Sequence, residues 1–405
     1  MIHQISKDIY LHVLQSQETR VFFQPIVSIS KCCSIGHESL LRASYKEESI
    51  SPELLFSYSA KIDEVARLDS LCQNLALSDY HKSGQDTLLF INMETSLLEY
   101  YLDHADEIVL QIDTLQIERN KIVIEINEKR ATNDALLLEL VNLYRHYGFV
   151  IALDDVGAGY SNLNRIVLAR PDIIKIDRSV ICEVQFNFYK QEVIKAISDL
   201  GQKIGSITIA EGVETEQEVV TCVECGVDWF QGYFFSPAIP SDAVNTLSFK
   251  EQCSRISELY QKKFISKMRQ YTNIIDIRKK IFEQLESIAL TCQADCLYES
   301  FTDLLCCNSE LECIYLINDL GIQVTDTLFQ PESYFRNRTM FSPMKKGDNH
   351  VSKSFFNYAI HHPDKIYISD KYISLATGNF CQTFSRMIRP QNASAFILCA
   401  DFKMY

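Results

Sequence analysis

The sequence predicts an α/β protein: a TIM-like (β/α)8 barrel, followed by a long connector helix and a smaller α+β domain. Three observations carry this reading. About eight short β-rich runs alternate with helical stretches over the first roughly 245 residues, the size and rhythm of such a barrel. The chain then changes character, since ten of the thirteen glycines lie at or before Gly232, the next is Gly321, and no proline falls between Pro240 and Pro331. From about Leu297 the sequence again alternates apolar runs and turns. The expected domains are 1–247 for the barrel, 248–295 for the connector and 296–405 for the last domain.

In chain order the strand-like runs are Phe22 to Val27, Ser34 to Leu41, Leu88 to Asn92, Ile122 to Ile126, Phe149 to Asp154, Ile173 to Ile176, Ile207 to Ala210 and Trp229 to Phe235. Helical stretches such as Asp134 to Tyr147, Phe188 to Leu200 and Glu216 to Cys225 fall between them. A doubly wound open sheet is the alternative. It would announce a glycine-rich phosphate turn after an early strand, and no GxGxxG or Walker sequence follows one here. From Phe249 to about Leu290, Ile256, Tyr260, Phe264, Met268, Tyr271, Ile275, Phe282, Leu285 and Ile288 recur at mostly three-and-four spacing, which predicts one long helix or a kinked pair. The lysines and arginine on its other face, Lys262, Lys263, Lys267, Arg269, Lys279 and Lys280, read as a solvated surface.

With 47% hydrophobic and 23% charged residues, the 405-residue chain is that of a folded, globular protein. Its 39 Lys+Arg against 53 Asp+Glu give a net charge of −14, which argues against a partner held by counterion release, so no polymeric nucleic acid is expected. A small anionic substrate would have to be received locally, by metal ions or a few arginines. The N-terminus, MIHQISKDIY, lacks the pattern of a secretory leader. No apolar run approaches the roughly 18–20 residues that span a bilayer. Cytoplasmic location without membrane insertion, and reduced thiols, are expected. The spacings among Cys292, Cys296, Cys306, Cys307 and Cys313 fit no paired zinc-ligand pattern, and buried or partly buried inert thiols are the better reading.

In a barrel of this kind the active site lies at the C-terminal mouth. The strand runs end in or pass into Glu38, Asn92, Glu125, Asp154 with Asp155, Lys175 with Asp177, Glu211 and Gln231. One carboxylate at a strand end is commonly a cap or a solvated group. Seven strands that each deliver a polar side chain to one place are different. Carboxylates gathered there repel one another unless cations neutralise them. All-oxygen ligands favour hard ions such as Mg2+ or Mn2+, and the adjacent Asp154 and Asp155 suit two ions held close together. The residues thus point to a two-metal phosphodiester or phosphomonoester hydrolase, with other divalent-metal barrel enzymes as competitors.

Eight separated motifs then occur in family order: Gln24-Pro25-Ile26-Val27, Glu38-Ser39-Leu40-Leu41-Arg42, Ile91-Asn92, Glu125-Ile126-Asn127-Glu128, Asp154-Asp155-Val156-Gly157-Ala158-Gly159-Tyr160-Ser161, Lys175-Ile176-Asp177-Arg178, Glu211-Gly212-Val213-Glu214 and Gln231-Gly232-Tyr233. Over roughly residues 15–245 the sequence resembles the EAL domain of bacterial cyclic-di-GMP phosphodiesterases. The resemblance implies a first metal held by Glu38, Asn92, Glu125 and Asp154 and a second held by Asp154, Asp155 and Glu211. It implies Lys175 and Glu211 as catalytic groups beside the attacking water, Gln24, Arg42, Asp177 and Gln231 as substrate contacts, and Glu128 and Glu214 as supports of the double-aspartate loop. The implied reaction is hydrolysis of cyclic-di-GMP to linear pGpG by a water activated by two Mg2+ or Mn2+ ions, and the implied assembly is a homodimer.

The loop departs from the usual family sequence: Val156 replaces a phenylalanine, Ala158 a threonine and Asn162 a serine, while Ser39 stands in for the alanine of the family's name motif. These departures keep open a second reading, a binding module that holds cyclic-di-GMP without turning it over. A barrel enzyme acting on another phosphodiester is disfavoured by the joint match at Arg42, Asp177 and Gln231. No Gly-Gly pair exists, so the cyclase domain that often accompanies EAL domains is not expected here. In the last domain, Glu312 to Ile317, Lys365 to Ser369, Phe380 to Met387 and Ala395 to Asp401 predict a small antiparallel sheet with flanking helices. Ser333-Tyr334-Phe335-Arg336, Tyr367 to Tyr372 and Ala376-Thr377-Gly378 resemble PAS-like or Cache-like sensor domains. An unknown small ligand or protein partner is expected there, with Tyr334, Arg336 and Tyr372 as candidate pocket residues.

Overall fold

The structure, a computed structural model, describes residues 2, 4–16, 19–127, 133–158, 163–292, 294–330, 342–374, 376–390 and 394–404. Two compact units divide the chain, Met1–Phe264 and Ile265–Tyr405. The first begins with α1 (Lys7–Gln15), β1 (Arg20–Ser28), β2 (Cys33–Tyr45), β3 (Glu48–Ile50), α2 (Pro52–Lys61) and α3 (Val65–Ser83). Then strands and helices alternate: β4 (Leu88–Met93), α4 (Leu98–Thr114), β5 (Ile122–Asn127), α5 (Asp134–His146), β6 (Val150–Val156), α6 (Leu163–Ala169), β7 (Ile173–Ile176), α7 (Arg178–Ile181), α8 (Phe188–Ile204), β8 (Ile207–Ala210), α9 (Glu216–Glu224), β9 (Trp229–Gln231) and β10 (Ile239–Pro240). The 42-residue α10 (Lys250–Thr291) forms as one helix.

Eight strands close the expected barrel, in the order β1-β9-β8-β7-β6-β5-β4-β2 and back to β1. Pairings from β2 and β4 through to β9 are parallel, whereas β1 runs antiparallel to both β2 and β9. The reversal follows from chain length. Only residues 29–32 join β1 to β2, and a parallel crossover needs about a dozen residues or more, so the connection can only be a hairpin. A second difference lies at β9, which stops at Gln231 where the sequence pattern suggests a run to Phe235. Gly232 explains this. Its backbone lies against the loop after β8, where a Cβ would sit 2.1 Å from the Val213 carbonyl oxygen, and Val213 takes over the pairing by donating to Gln231 O and accepting from Phe234 N.

Strand alternation then builds the interior in layers. Ile26, Phe90, Val123, Ala152, Ile173 and Ile209 form one buried apolar cluster inside the barrel. Two residues further along β4 to β8, on the same inward face, come Asn92, Glu125, Asp154, Lys175 and Glu211. On the reversed β1 the corresponding step runs backwards, from Ile26 to Gln24. Gly36 fits beneath Glu38 because a Cβ there would meet the Phe90 ring at 2.6 Å. The outward-facing Ile124, Ile126, Leu153, Ile174 and Ile176 are buried in the clusters that include the helices. An apolar plug thus seals the barrel directly below a polar mouth.

The second unit contains the rest of α10, then α11 (Ala294–Cys307), β11 (Leu311–Asn318), β12 (Leu328–Phe329), α12 (Ser354–His361), β13 (Tyr367–Ile368), β14 (Tyr372–Ile373), β15 (Phe380–Ile388) and β16 (Phe396–Lys403). Its sheet has the order β12-β11-β16-β15-β13, with β14 also on β15, and these strands pair antiparallel, as expected. One face packs Ile314, Leu316, Leu398 and Ala400 against Phe282 and Leu285 of α10, and the other sets Tyr315, Ile397 and Cys399 against Phe355 and Phe356 of α12. All fourteen cysteines are free thiols. Tyr334, Arg336, Glu128 and Asn162 lie outside the described residues.

One local device steadies the loop beside the mouth. Thr215 and Glu218 form a capping box at the start of α9, and the Glu218 carboxylate accepts from the backbone N–H groups of Glu183, Glu214 and Thr215 at 2.9–3.0 Å. Glu218 is buried. Glu218→Ala leaves three amides without this acceptor and should destabilise the barrel unit by about 2 kcal/mol or more, read as a lower melting temperature, with Glu218→Gln costing less. Equal melting of Glu218→Ala and the parent would show that the amides find other partners.

Candidate active site

Lys175 stands at the centre of the mouth, about 1% exposed, and its ammonium faces four carboxylates. Nζ lies 3.2 Å from Glu38 Oε2, 2.6 Å from Glu211 Oε1 and 3.4 Å from Asp154 Oδ1, and it also contacts Glu125 Oε1. Around Glu38 the amides are arranged as donors: Asn92 Nδ2 to Oε1 at 3.0 Å and Gln231 Nε2 to Oε2 at 2.6 Å. Gln231 Nε2 also reaches Gln24 Oε1 at 3.2 Å, and Gln24 Nε2 donates to the Ser236 carbonyl. Asp155 occupies the left-handed region at φ 60° next to a register shift between β6 and β7, and Asn127 Nδ2 holds its Oδ2 at 2.8 Å. An aspartate tolerates that conformation better than most residues. The turn lets two consecutive aspartates serve one site instead of opposite faces of a strand.

Electrostatics here are dominated by burial. Burial pushes the Glu125 and Glu211 carboxyls well above the usual range; the neighbouring carboxylates, chiefly Glu38 for the first and Asp154 for the second, add to the rise and Lys175 opposes it. Asp154 is raised in the same way. For Glu38, burial opposes ionisation but is outweighed by Lys175 and by the hydrogen bonds from Gln231 and Asn92, which hold its carboxyl below the ordinary value. Burial disfavours the Lys175 ammonium too, yet Asp154, Glu125, Glu211 and Glu38 keep it firmly protonated.

The donor set fits hard divalent cations. One oxygen each from Asp154, Asp155 and Glu211 lies within 4.8 Å of the others. Both Glu125 carboxylate oxygens, Asp154 Oδ1 and Gln231 Oε1 are buried and accept no hydrogen bond, so the contact between Glu125 and Lys175 is an ion pair without good hydrogen-bond alignment. Buried oxygens left without donors are costly unless something cationic meets them.

The other expected residues occupy the periphery. A cavity of about 300 Å3 over the mouth is lined by Gln24, Glu38, Asp154, Lys175, Asp177 and Glu211 among others. Asp177 also caps α7, accepting from Ser179 N at 2.9 Å. Leu40 is shared with a neighbouring cavity of about 230 Å3 that Arg42, Asn92 and Asn127 line. Glu214 pairs with Arg178 at 2.6 Å in a half-exposed ion pair. The Ser39 hydroxyl, foreign to the family motif, donates to the Phe90 carbonyl at 3.1 Å. Val156 is buried among Leu153, Ile176 and Val180. Sequence reading passed over Glu218, although Thr215-Glu216-Gln217-Glu218 is a capping-box signature. It also gave Asn127 no role.

These features define a barrel protein with a carboxylate-rich mouth gathered around Lys175 and closed from below by an apolar plug. The EAL-domain family model matches residues 7–238, more than half of the chain, and the chain belongs to that family. It is 27% identical over 383 residues to the uncharacterised EAL-domain protein YkuI of Bacillus subtilis, covering 90% of each chain. To the probable cyclic di-GMP phosphodiesterase PdeB of Escherichia coli it is 25% identical over 234 residues, 56% of this chain and 44% of that one. The crystal structure of YkuI with cyclic-di-GMP and calcium superposes with a TM-score of 0.78 at 23% identity, over 98% and 99% of the two chains, and supports the fold of both units. Klebsiella pneumoniae BlrP1, solved with manganese and cyclic-di-GMP, gives a TM-score of 0.52 at 25% identity over 56% and 57%. Among the described residues no helix is long and apolar enough to cross a membrane.

Because Glu125, Asp154 and Glu211 hold their protons to higher pH than ordinary carboxyls, protons compete with cations at this site. Mn2+ should therefore raise the melting temperature of the chain, and the increment should grow as pH rises above the ordinary carboxylate range. Asp154→Asn should abolish most of it. An increment that is absent, or that is unchanged by Asp154→Asn, would remove the metal reading of this cluster.

Proposed function

We propose that the protein is a cytoplasmic, metal-dependent phosphodiesterase that opens cyclic-di-GMP to linear pGpG. The observation that carries the reading is the ring of buried carboxylates around the single ammonium of Lys175, with Glu125 Oε2 buried and without a partner. Glu38, Asn92, Glu125 and Asp154 would hold one Mg2+ or Mn2+, and Asp154, Asp155 and Glu211 a second. Bound ions supply Lewis acidity, polarising the phosphodiester and making water a stronger nucleophile near neutral pH. Lys175 neutralises the ligands and orients Glu38 and Glu211. Glu211, whose pKa burial raises, is suited to take a proton from the attacking water. Gln24, Gln231, Asp177 and Arg42 line the two cavities that share Leu40, an arrangement suited to a two-lobed ligand, with Arg42 positioned as a phosphate or base contact.

A second reading, a receptor that binds the dinucleotide without hydrolysis, is favoured by Val156 and Ala158 in the double-aspartate loop. Incubation of reduced protein with cyclic-di-GMP and Mg2+ or Mn2+ should yield pGpG by chromatography. EDTA should remove the activity, and Glu38→Ala should lower it by more than about 100-fold, beyond the usual cost of losing an outer-shell partner. Tight binding without product under either metal would establish the receptor instead.

We further propose that the barrel unit pairs into a homodimer and that the second unit, as a PAS- or Cache-like sensor, modulates turnover. Pairing is supported by the exposed apolar side chains after β6 and β7: Leu163 and Val167 on α6, at 65% and 69%, and Phe186 and Tyr189, at 83% and 74%. Light scattering should give twice the chain mass, and Val167→Glu with Phe186→Glu should give the monomer. A parent that is already monomeric at micromolar concentration would remove the proposal.

A further inference from the structure

The second unit has an open cavity of about 400 Å3 between the α12 face of its sheet and the segments that flank it. Its walls include the aromatic rings of Tyr315, Phe355, Tyr367 and Tyr372 among mostly polar or small side chains. What distinguishes it from an underpacked core is a pair of buried acceptors, Asp401 and His350. Asp401, on β16, is 3% exposed and is held only by neutral donors: Thr383 Oγ1 to Oδ1 at 2.7 Å, and Tyr372 Oη and Cys313 Sγ to Oδ2 at 3.3 Å each. Among the described residues no cation pairs with it.

The second acceptor is His350, also 3% exposed and on the wall of the same cavity. Gln323 Nε2 donates to the carbonyls of Thr325 and Met344 and to Thr327 Oγ1, which fixes the orientation of that amide. Gln323 Oε1 is therefore the acceptor facing His350 Nε2 at 2.8 Å, and the imidazole carries its proton on Nε2. His350 Nδ1 is left as a buried lone pair with no hydrogen-bond partner. Burial, with Lys353 adding to it, lowers the imidazole pKa to about 4, so the ring stays neutral and accepting. A carboxylate without a counter-cation and an imidazole acceptor without a donor on one cavity with aromatic rings in its wall are complementary to a compact cation that carries N–H groups. The net charge of −14 draws such a ligand inward.

We propose that this cavity is a binding site for a small organic molecule bearing a protonated primary amine, whose ammonium group is received by Asp401 and His350 Nδ1. Two sources share this chemistry: simple amines, and amino acids whose carboxylate would meet Lys353, which also lines the cavity. The site is independent of the dinucleotide reading, since none of its residues belongs to the barrel.

The test is calorimetric titration of the full chain with short primary alkylamines, aromatic ethylamines and the common L-amino acids, alongside the matching carboxylic acids and quaternary ammonium analogues. Saturable binding by a primary amine or amino acid, but not by its acid or quaternary analogue, is the expected result. Lys353→Ala should weaken an amino acid selectively and leave a simple amine unchanged. Asp401→Asn should weaken binding at least tenfold without altering dinucleotide binding by the barrel. Where Asp401→Asn fails to fold, His350→Phe, which removes the free lone pair, is read instead with the same expectation. No binding by any amine or amino acid, equal binding by the quaternary analogue, or full affinity in the folded variant would overturn the proposal.

Discussion

The constraint on which the barrel depends is charge balance at its mouth. Glu38, Glu125, Asp154, Asp155 and Glu211 bring five carboxylates to one region where Lys175 is the ammonium in contact with four of them. One ammonium cannot neutralise five acids, and burial of the excess is penalised steeply. The protein accommodates part of it by proton retention, visible in the raised carboxyls of Glu125, Asp154 and Glu211. Two divalent ions with Lys175 would carry five positive charges, matching the five carboxylates. Such loading would balance a cluster that is costly in isolation.

The rest of the barrel follows from having to hold that cluster still. Asn92, Glu125, Asp154, Lys175 and Glu211 each lie two residues beyond an apolar plug residue, so one pleat repeat converts a packed core into a polar mouth. The plug keeps water from entering below, and the helices bury the outward face of the same strands. The reversed β1 belongs to this logic. Its antiparallel pairing sets Gln24 directly opposite Glu38, placing an amide where a parallel first strand would present a different register. Gly36 and Gly232 serve the same end by removing a Cβ where Phe90 and the Val213 backbone approach.

Much of this was legible in the sequence because it is carried by strand-end chemistry. Asn92, Glu125, Asp154, Lys175 and Glu211 each follow an apolar run, and the fold requires those runs to end at a common rim. The hairpin between β1 and β2 was equally present, as a connection too short for a crossover, but strand periodicity alone does not reveal direction. The early end of β9 was not legible, because it depends on a contact between Gly232 and Val213, residues distant in sequence. Glu218 was hidden for a related reason. Its capping-box pattern is local, yet its bond to Glu183 N comes from another loop. The tolerance of Ser39 needed the Phe90 carbonyl, supplied by a neighbouring strand.

The two units treat buried acid in opposite ways. In the barrel, the carboxylates surround a lysine and leave oxygens aimed at a shared centre, so their charge is organised around cations from the outset. In the sheet of the second unit, Asp401 is held by hydroxyls and a thiol, and burial raises its pKa to about 6 against the lowering influence of Thr383, Cys313 and Tyr372. Hydroxyl donors stabilise a carboxylate without neutralising it, so a sheet stabilised only for its own sake would gain by placing an apolar residue there. The neighbouring positions on β16 do so: Cys399, Ala400 and Phe402 are all fully buried. Asp401 departs from that pattern where β16 meets the cavity, which is where the proposed ammonium would reach it; Glu312, the other buried carboxylate of this sheet, is held by Thr377 and Asn379 away from the cavity.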